Sequence, residues 1–197
     1  MTHINKNKFK DEIITTAELI ISQQGYQNLS ARKISSQLGC AVGSLYNSYE
    51  NLNEIYLKVN QRTLVRLHQL FNQYLATSNE MLIDKFLHLS KIYMLFWKSD
   101  YHLANCLFNY SQPEKAPLPK WAQDDVDAVF KTLTSLLESS NSNLSEDPKT
   151  IVAVLWSGLH GIADLCFSKK IQIFDSQDQL DLARSFISYY LKGLLNV

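Results

Sequence analysis

Apolar residues recur at intervals of three and four along nearly the whole chain. Residues 82–96 show the pattern clearly, because Leu82, Phe86, Leu89, Tyr93 and Phe96 form one stripe. No segment alternates apolar and polar residues for long enough to suggest a β-strand. The spacing therefore predicts an all-α protein of about nine helices. The expected helices cover 7–24, 31–38, 41–47, 52–76, 79–98, 101–110, a segment that includes 121–133, 148–169 and 177–195.

Residues with helix-capping chemistry stand at the ends of these segments. Gly25 is placed to end the first helix in the left-handed conformation. Ser30 is an N-cap candidate for the second helix, which Gly39 ends. Asn51 with Glu54 three residues later has capping-box spacing at the start of the long fourth helix. Two further starts are predicted by Asp147 with Pro148 and by Ser176 with Gln179.

Composition is that of an ordinary globular protein, with 46% hydrophobic and 19% charged residues. The longest apolar runs, IYMLF and IVAVLW, are far shorter than the roughly 20 residues of a membrane span. The N-terminus lacks the apolar run of a signal peptide, so we expect a cytoplasmic protein. Cys40, Cys106 and Cys166 are too far apart to suggest a zinc ligand set or a disulfide framework, and we expect them to be buried as small hydrophobic residues.

The formal net charge is zero, but it is divided unevenly. Residues 1–66 contain eight Lys or Arg against five Asp or Glu, a net charge of +3, and the remainder carries −3. A mildly basic N-terminal part on a mildly acidic body fits a DNA-reading domain carried by a sensing or dimerising one.

The segment LSARKISSQLGCAVGSLYNSY, residues 29–49, has the order of a helix-turn-helix. A short helix leads into a turn that contains glycine, and the next helix begins with small residues. Such a helix can enter a major groove about 12 Å wide with its backbone close to the bases. The methyl groups of Ala41 and Val42 suit thymine, the Ser44 hydroxyl suits a base edge or phosphate, and Arg32 suits a phosphate. The expected DNA-binding residues are Ser30, Arg32, Lys33, Ala41, Val42, Gly43, Ser44, Tyr46 and Asn47.

Residues 8–57 resemble the TetR family of regulators, through Gly25, the GxLY element from Gly43 to Tyr46, and the capped helix that follows. The resemblance implies an all-helical homodimer with a helix-turn-helix domain at residues 1–50 and a ligand-binding and dimerisation domain at 51–197. It further implies a near-palindromic DNA operator and release of the DNA by a small ligand. A shorter likeness, Trp156, His160 and Gly161, is to the W-H-G element of one group of TetR C-terminal domains.

The last two helices are expected, from the same resemblance, to form a four-helix dimer interface. In such a dimer, the two recognition helices would lie about 34 to 36 Å apart, which is one turn of DNA. The expected interface residues are Leu155, Leu159, Ile162, Phe186, Ile187, Tyr190 and Leu194.

One position departs from the family pattern. Members usually carry a basic residue after the aromatic that corresponds to Tyr49, whereas Glu50 stands here. Glu50 either favours the dipole at the start of the fourth helix or removes a phosphate contact.

Aromatic residues are abundant in the C-terminal part and suit either a core or a pocket for a small apolar or aromatic ligand. His160, with Asp164 four residues later, is either a buried, hydrogen-bonded histidine or one end of a ligand, metal or proton-relay site. Two residues do not complete a zinc site, and no metal or cofactor is expected. The candidate ligand-binding residues are Phe86, Tyr93, Phe96, Trp97, Asn105, Phe108, Trp121, Trp156 and His160.

Two other classes of protein remain as alternatives. An enzyme would need a nucleophile with its base, paired carboxylates or a phosphate-binding loop, and the sequence contains neither GxSxG nor a Walker loop. A DNA- or protein-binding architectural factor of the same fold would lack a small-molecule ligand. A C-terminal domain packed without a cavity would favour that alternative.

Overall fold

The computed structural model describes residues 3–113, 117–140, 144–168 and 176–195. These residues form nine α-helices, one short 3-10 helix and no β-strand, which confirms the all-α prediction. The helices are α1 (His3–Gln24), α2 (Ala31–Leu38), α3 (Val42–Tyr46), α4 (Leu52–Thr77), α5 (Leu82–Ser99), α6 (Tyr101–Asn109), α7 (Lys120–Glu138), α8 (Pro148–Phe167) and α9 (Ser176–Leu195), with the 3-10 helix at Tyr26–Asn28.

The chain forms two compact units. The first comprises residues 1–65 and 100–122, and the second comprises 66–99 and 123–197. The long helix α4 contributes its first half to one unit and its second half to the other. The functional boundary expected between residues 50 and 51 stays a prediction, and the compact units divide the chain elsewhere.

The first unit is built around apolar side chains of α1 to α4 and α6. Ile13, Ala17 and Ile20 of α1 are fully buried, as are Ile34 of α2 and Leu45 of α3. Burying a large aliphatic side chain contributes about 1.5 to 3 kcal/mol, so these contacts hold the short helices α2 and α3 in place. Other core members are Ile14, Ile21, Leu29, Tyr49, Ile55, Tyr56, Val59, Leu103 and Cys106, and Leu38 packs against them while only half-buried.

Helix α6 belongs to the first unit because its polar and apolar contacts lead to α1 and α4. The Ser22 hydroxyl donates to Asp100 Oδ2 at 2.7 Å. Asp100 also caps α6, accepting from the Leu103 N–H at 3.1 Å. The Asn60 side-chain amide donates to the Cys106 carbonyl at 3.3 Å. Burial raises the pKa of the Cys106 thiol to about 12, so this cysteine is an inert core residue.

Several helix ends differ from the sequence expectation. Helix α1 begins at His3 rather than near Asn7. Gly25 does end α1 with a positive φ of 80°, but its ψ of 155° is not left-handed helical, so the expected cap conformation was wrong. A turn of 3-10 helix, Tyr26–Asn28, follows at once. Ser176 is the first residue of α9, and its side chain lies outside the described residues, as do 114–116, 141–143 and 169.

The second unit packs α5, α7, α8, α9 and the end of α4 around an aromatic and aliphatic core. Trp97, Tyr93 and Met94 of α5 are almost completely buried. Cys166 is buried here, whereas Cys40 of the first unit is half-exposed, contrary to expectation. The remaining core includes Phe71, Phe86, Leu89, Val129, Leu133, Leu137, Ile151, Val152, Ala163, Ala183 and Leu191.

Three residues expected at a dimer interface lie inside this core instead. Leu155, Leu159 and Ile187 are 4%, 8% and 2% exposed. Their assignment to the interface was wrong because the unit's own helices already cover them. Ile162, Phe186, Tyr190 and Leu194 are half-buried and stay candidates.

Helix α8 is, among the described residues, the one helix long and apolar enough to cross a bilayer, with a mean hydropathy of 1.5. A core helix of a water-soluble protein passes the same test, so this property is weak evidence for a membrane. Asp147 caps α8 by accepting from the N–H groups of Lys149 and Thr150, both at 3.1 Å, and Pro148 occupies the first turn as predicted.

Candidate functional site

Helix α3 is short and is held by one fully buried side chain. Leu45 is 0% exposed and anchors the helix in the core of the first unit. The other side of α3 points outward, since Ala41 and Gly43 are exposed and Tyr46 is 46% exposed. The helix therefore presents a small-residue surface with one aromatic side chain at its end.

Gly43 has no packing role that requires a glycine. It lies within α3, and a Cβ atom built there would have no heavy atom within 4 Å. Alanine favours a helix over glycine by about 1 kcal/mol. The fold itself therefore gains nothing from the missing side chain at this exposed position.

Helix α2 places two cations at its beginning. The Ser30 side chain caps the helix by accepting from the Lys33 N–H at 3.3 Å, as predicted. Lys33 donates from Nζ to Gln24 Oε1 at 2.7 Å, which ties its ammonium to the end of α1. Arg32 is exposed and makes no ion pair with any residue that the structure describes. Its guanidinium is available to an external anion.

The turn between α2 and α3 depends on Gly39. This residue has φ 64° and ψ 32°, the left-handed conformation that glycine adopts without strain. Its N–H donates back to the Ser36 carbonyl at 3.3 Å, and the Cys40 N–H donates to the Ser35 carbonyl at 3.0 Å. These bonds fix the direction in which α3 leaves α2.

Tyr49, just after α3, links this part of the chain to α1. Its ring is buried, and its hydroxyl donates to the Lys10 carbonyl of α1 at 3.0 Å. Burial raises the pKa of Tyr49 to about 12, so the phenol is neutral at physiological pH. The Lys10 ammonium lies 5.5 Å from the centre of the same ring.

Helix α4 begins with a reciprocal cap, in which Glu50 takes part through its backbone N–H. Asn51 Oδ1 accepts from the Glu54 N–H at 2.9 Å. The Glu54 carboxylate in turn accepts from the N–H of Glu50, at 2.7 Å, rather than from that of Asn51. The Glu50 side chain is exposed just before the helix.

Arg62 of α4 is engaged within the protein rather than presented to solvent. Its guanidinium donates to the Thr15 hydroxyl at 3.0 Å and pairs with the carboxylates of Asp11 and Glu18 of α1. The charge of Arg62 is therefore directed towards carboxylates of α1. All nine predicted DNA-binding residues nevertheless lie in one unit, at the start of α2 and on or beside α3.

The second unit contains an apolar cavity, called here the body cavity, of about 30 Å³. Its wall is almost entirely carbon. A volume of this size accommodates a water molecule or two and no larger compound unless side chains move. The lining residues are Phe71, Phe86, Leu89, Ser90, Tyr93, Leu133, Val152, Leu155, Trp156, Leu159 and Ile187.

The predicted ligand-binding residues do not lie together, because some belong to the second unit and some to the first. Phe86, Tyr93 and Trp156 line the body cavity. Phe96, Trp97 and His160 belong to the same unit but not to the lining. Asn105, Phe108 and Trp121 belong to the first unit, where the Lys58 ammonium lies 3.5 Å from the centre of the Trp121 ring.

His160 adjoins the cavity through Tyr93. The Tyr93 hydroxyl and His160 Nδ1 are 3.0 Å apart. Burial lowers the pKa of His160, and the charge of Asp164 opposes that effect. Burial also raises the pKa of Tyr93. This geometry favours the interpretation of His160 as a hydrogen-bonded, partly buried histidine, and the described residues contain no group of three potential metal ligands.

A second cavity, the α5–α9 groove, is larger, with a volume of about 470 Å³ and a lining that is partly polar and partly apolar. Four of its charged lining residues are Asp84 and Lys91 of α5 and Asp181 and Arg184 of α9. None of the four makes an ion pair with another described residue. The sequence does not indicate this groove, because α5 and α9 are distant in sequence and their charged residues resemble ordinary solvated helix faces.

Comparison with known proteins identifies the fold. No protein-family model and no curated protein sequence matches the chain. Solved structures do match over nearly the full length. A putative TetR-family transcriptional regulator from Syntrophomonas wolfei has a TM-score of 0.75 at 15% identity, covering 97% of this chain and 98% of its own. A TetR-family regulator from Pectobacterium atrosepticum also reaches 0.75 at 15% identity, covering 99% and 98%.

A third structure was solved with a ligand. It is the transcriptional regulator FadR from Bacillus subtilis in complex with stearoyl-CoA, with a TM-score of 0.66 at 15% identity, covering 92% of this chain and 97% of its own. Together these likenesses show that the chain has the TetR-like fold.

Proposed function

We propose that this chain is a DNA-binding transcriptional regulator, with α2 and α3 as its helix-turn-helix. The observation that carries the proposal is that α3 is anchored on one side and has an exposed surface of small residues on the other. Leu45 fixes the helix from inside, and Gly43 leaves its outer surface without a side chain for no reason internal to the fold. A recognition helix needs such a surface to bring its backbone close to base edges. The regulators that share the fold support this function.

The regulator acts as a homodimer through α8 and α9. Helix α8 is highly apolar, yet about a third of it is buried within the chain. Val154 and Leu165 of α8 are 39% and 42% exposed, and Tyr189 of α9 is 77% exposed. A second copy would cover this face and give two-fold symmetry. The two α3 helices would then read a near-palindromic operator in the cytoplasm.

The second unit responds to a small apolar or aromatic ligand that lifts repression. The complex of Bacillus subtilis FadR with stearoyl-CoA supports this, because that regulator has the same fold and binds a ligand. Coupling between a ligand and DNA is typically worth about 1 to 3 kcal/mol, which weakens operator binding by about 5- to 150-fold.

A second candidate is an architectural DNA-binding factor that has no ligand. The observation in its favour is the small volume of the body cavity, about 30 Å³, which leaves the second unit almost solidly packed. In that protein, no compound would change operator affinity.

The experiment that tests the proposal is binding of the purified protein to DNA upstream of its own gene, followed by fluorescence anisotropy. We expect tight binding that resists unrelated competitor DNA, with two subunits per site. Weak binding that ignores sequence and disappears with salt would contradict an operator-specific regulator.

Arg32→Ala should weaken DNA binding about equally on every sequence. Because Arg32 is exposed and makes no ion pair with a described residue, we assign it to a phosphate contact. Removing one phosphate contact lowers the salt-dependence slope by about 1. The measurement is anisotropy at five or more salt concentrations. Lys131→Ala removes the same charge from an exposed position in the second unit, and an equal change in slope there would refute the assignment.

Leu165→Glu should convert the dimer to monomers. It places a carboxylate on the apolar face of α8, where a second copy would have to desolvate it. Sedimentation velocity measures the result. Leu70→Glu is the matched control, because Leu70 is also 42% exposed but lies on α4. A dimer that survives Leu165→Glu would exclude this part of α8 from the interface.

A further inference from the structure

Hydroxyl groups on the lining residues of the body cavity are already committed to partners inside the protein. The Ser90 hydroxyl donates to the Leu87 carbonyl at 2.7 Å. The Tyr93 hydroxyl lies 3.0 Å from His160 Nδ1. The Tyr93 hydroxyl is therefore already hydrogen-bonded to His160. Both hydroxyl groups therefore already have partners inside the protein.

Charged side chains are absent from the lining of the cavity as the structure describes it. The cations Lys91 and Arg184 line the α5–α9 groove instead, together with Glu80, Asp84 and Asp181. A carboxylate or phosphate that entered the body cavity would therefore lose its water without gaining an ion pair with a lining residue. The free-energy cost of removing an ionised group from water is large.

We infer that the body cavity takes an uncharged, hydrocarbon-like molecule, aromatic or short alkyl, and excludes the corresponding acids. This inference rests on the proposed function, in which the second unit binds a ligand. Recognition depends on shape and on removal of carbon surface from water, because the wall is almost entirely carbon. The ligand must also displace side chains, since about 30 Å³ is too small for a benzene ring; an engineered apolar cavity of roughly 150 Å³ accepts one.

Titration calorimetry with toluene, benzoate and benzylamine tests the inference on the unaltered protein. The three probes share one ring and differ in charge. We expect toluene to bind at least about 100-fold more tightly than either ion, because the ions would be desolvated without a partner. Benzoate binding that equals or exceeds toluene binding would overturn the inference, and so would absence of toluene binding at its solubility limit.

Two leucines of α7 give a matched pair of variants. Leu133 lines the cavity, whereas Leu137, one turn later and 1% exposed, does not. Leu133→Ala enlarges the space, so toluene affinity should rise about 10-fold, while Leu137→Ala should leave it unchanged. Leu133→Val makes the same test with less loss of stability. Equal affinities in the Leu133 and Leu137 variants would place toluene elsewhere.

Anisotropy with operator DNA on the same preparations separates the two possible failures. Operator binding that persists while toluene fails to bind would overturn the ligand class and leave the DNA-binding function intact. Loss of both would contradict the proposed function as a whole. Benzoate binding that Arg184→Ala abolishes would assign the ligand to the α5–α9 groove instead.

Discussion

Replacing Gly43 with Glu should abolish specific DNA binding while leaving the protein folded. The new side chain would point into open space from α3, so it would meet no part of the first unit. On DNA, the same side chain would separate the helix from the base edges and bring a negative charge towards the phosphates. Affinity should fall by at least about 1,000-fold, the usual gap between specific and non-specific binding. Fluorescence anisotropy measures the loss, and thermal unfolding verifies the fold.

Two companion variants distinguish the causes of that loss. Gly43→Ala should stabilise the first unit slightly, by up to about 1 kcal/mol, and should weaken DNA binding far less than Gly43→Glu does. Gln73→Glu adds the same charge at an exposed position of the second unit and should have little effect. Undiminished DNA binding by Gly43→Glu would mean that α3 is not the recognition helix.

Local signals in the sequence predicted the helix-turn-helix well because its structure depends on near neighbours. Ser30 caps α2, Asn51 caps α4, and Gly39 supplies the left-handed turn, each within a few residues of its partner. Gly25 was harder, because a glycine before a 3-10 turn and a glycine in a left-handed cap look alike in sequence.

Tertiary assignments could not be read from the same pattern. The apolar stripe of α6 predicts a buried face, but it does not say that α1 and α4 cover that face. Asn105 and Phe108 were therefore grouped with the ligand candidates although they belong to the first unit. The cavity lining depends on five helices that meet in space, and residues such as Leu133 carry no sequence signal for it.

Helix α8 illustrates a second limit. It is apolar around most of its circumference, so periodicity does not distinguish the side that faces the core from the side that faces a partner. Leu155 and Leu159 were expected at the interface but are core residues. The structure reverses the assignment, and exposed Val154 and Leu165 become the better candidates.

Gly158→Ala should destabilise the second unit by about 1 to 3 kcal/mol, the usual cost of overpacking a core. A Cβ atom at Gly158 would lie 2.2 Å from one carbon of the Phe186 ring and 2.7 Å from two others. A ring is rigid, so α9 must shift or Phe186 must leave its position. The cost should exceed the gain in helix propensity from replacing glycine, which is about 1 kcal/mol. Urea unfolding at fixed protein concentration measures the difference.

Gly161, less than one turn further along α8, is the matched control because a Cβ atom there meets nothing within 4 Å. Gly161→Ala should therefore raise stability by up to about 1 kcal/mol in the monomer. Adding Phe186→Leu to Gly158→Ala should recover part of the loss, since a smaller side chain leaves room for the new methyl group; a double-mutant cycle then gives a coupling energy. Additive effects in that cycle would contradict the contact between Gly158 and Phe186 as the reason for glycine. If Gly161→Ala stabilises the protein at low concentration but not where dimers form, a second copy packs over this part of α8.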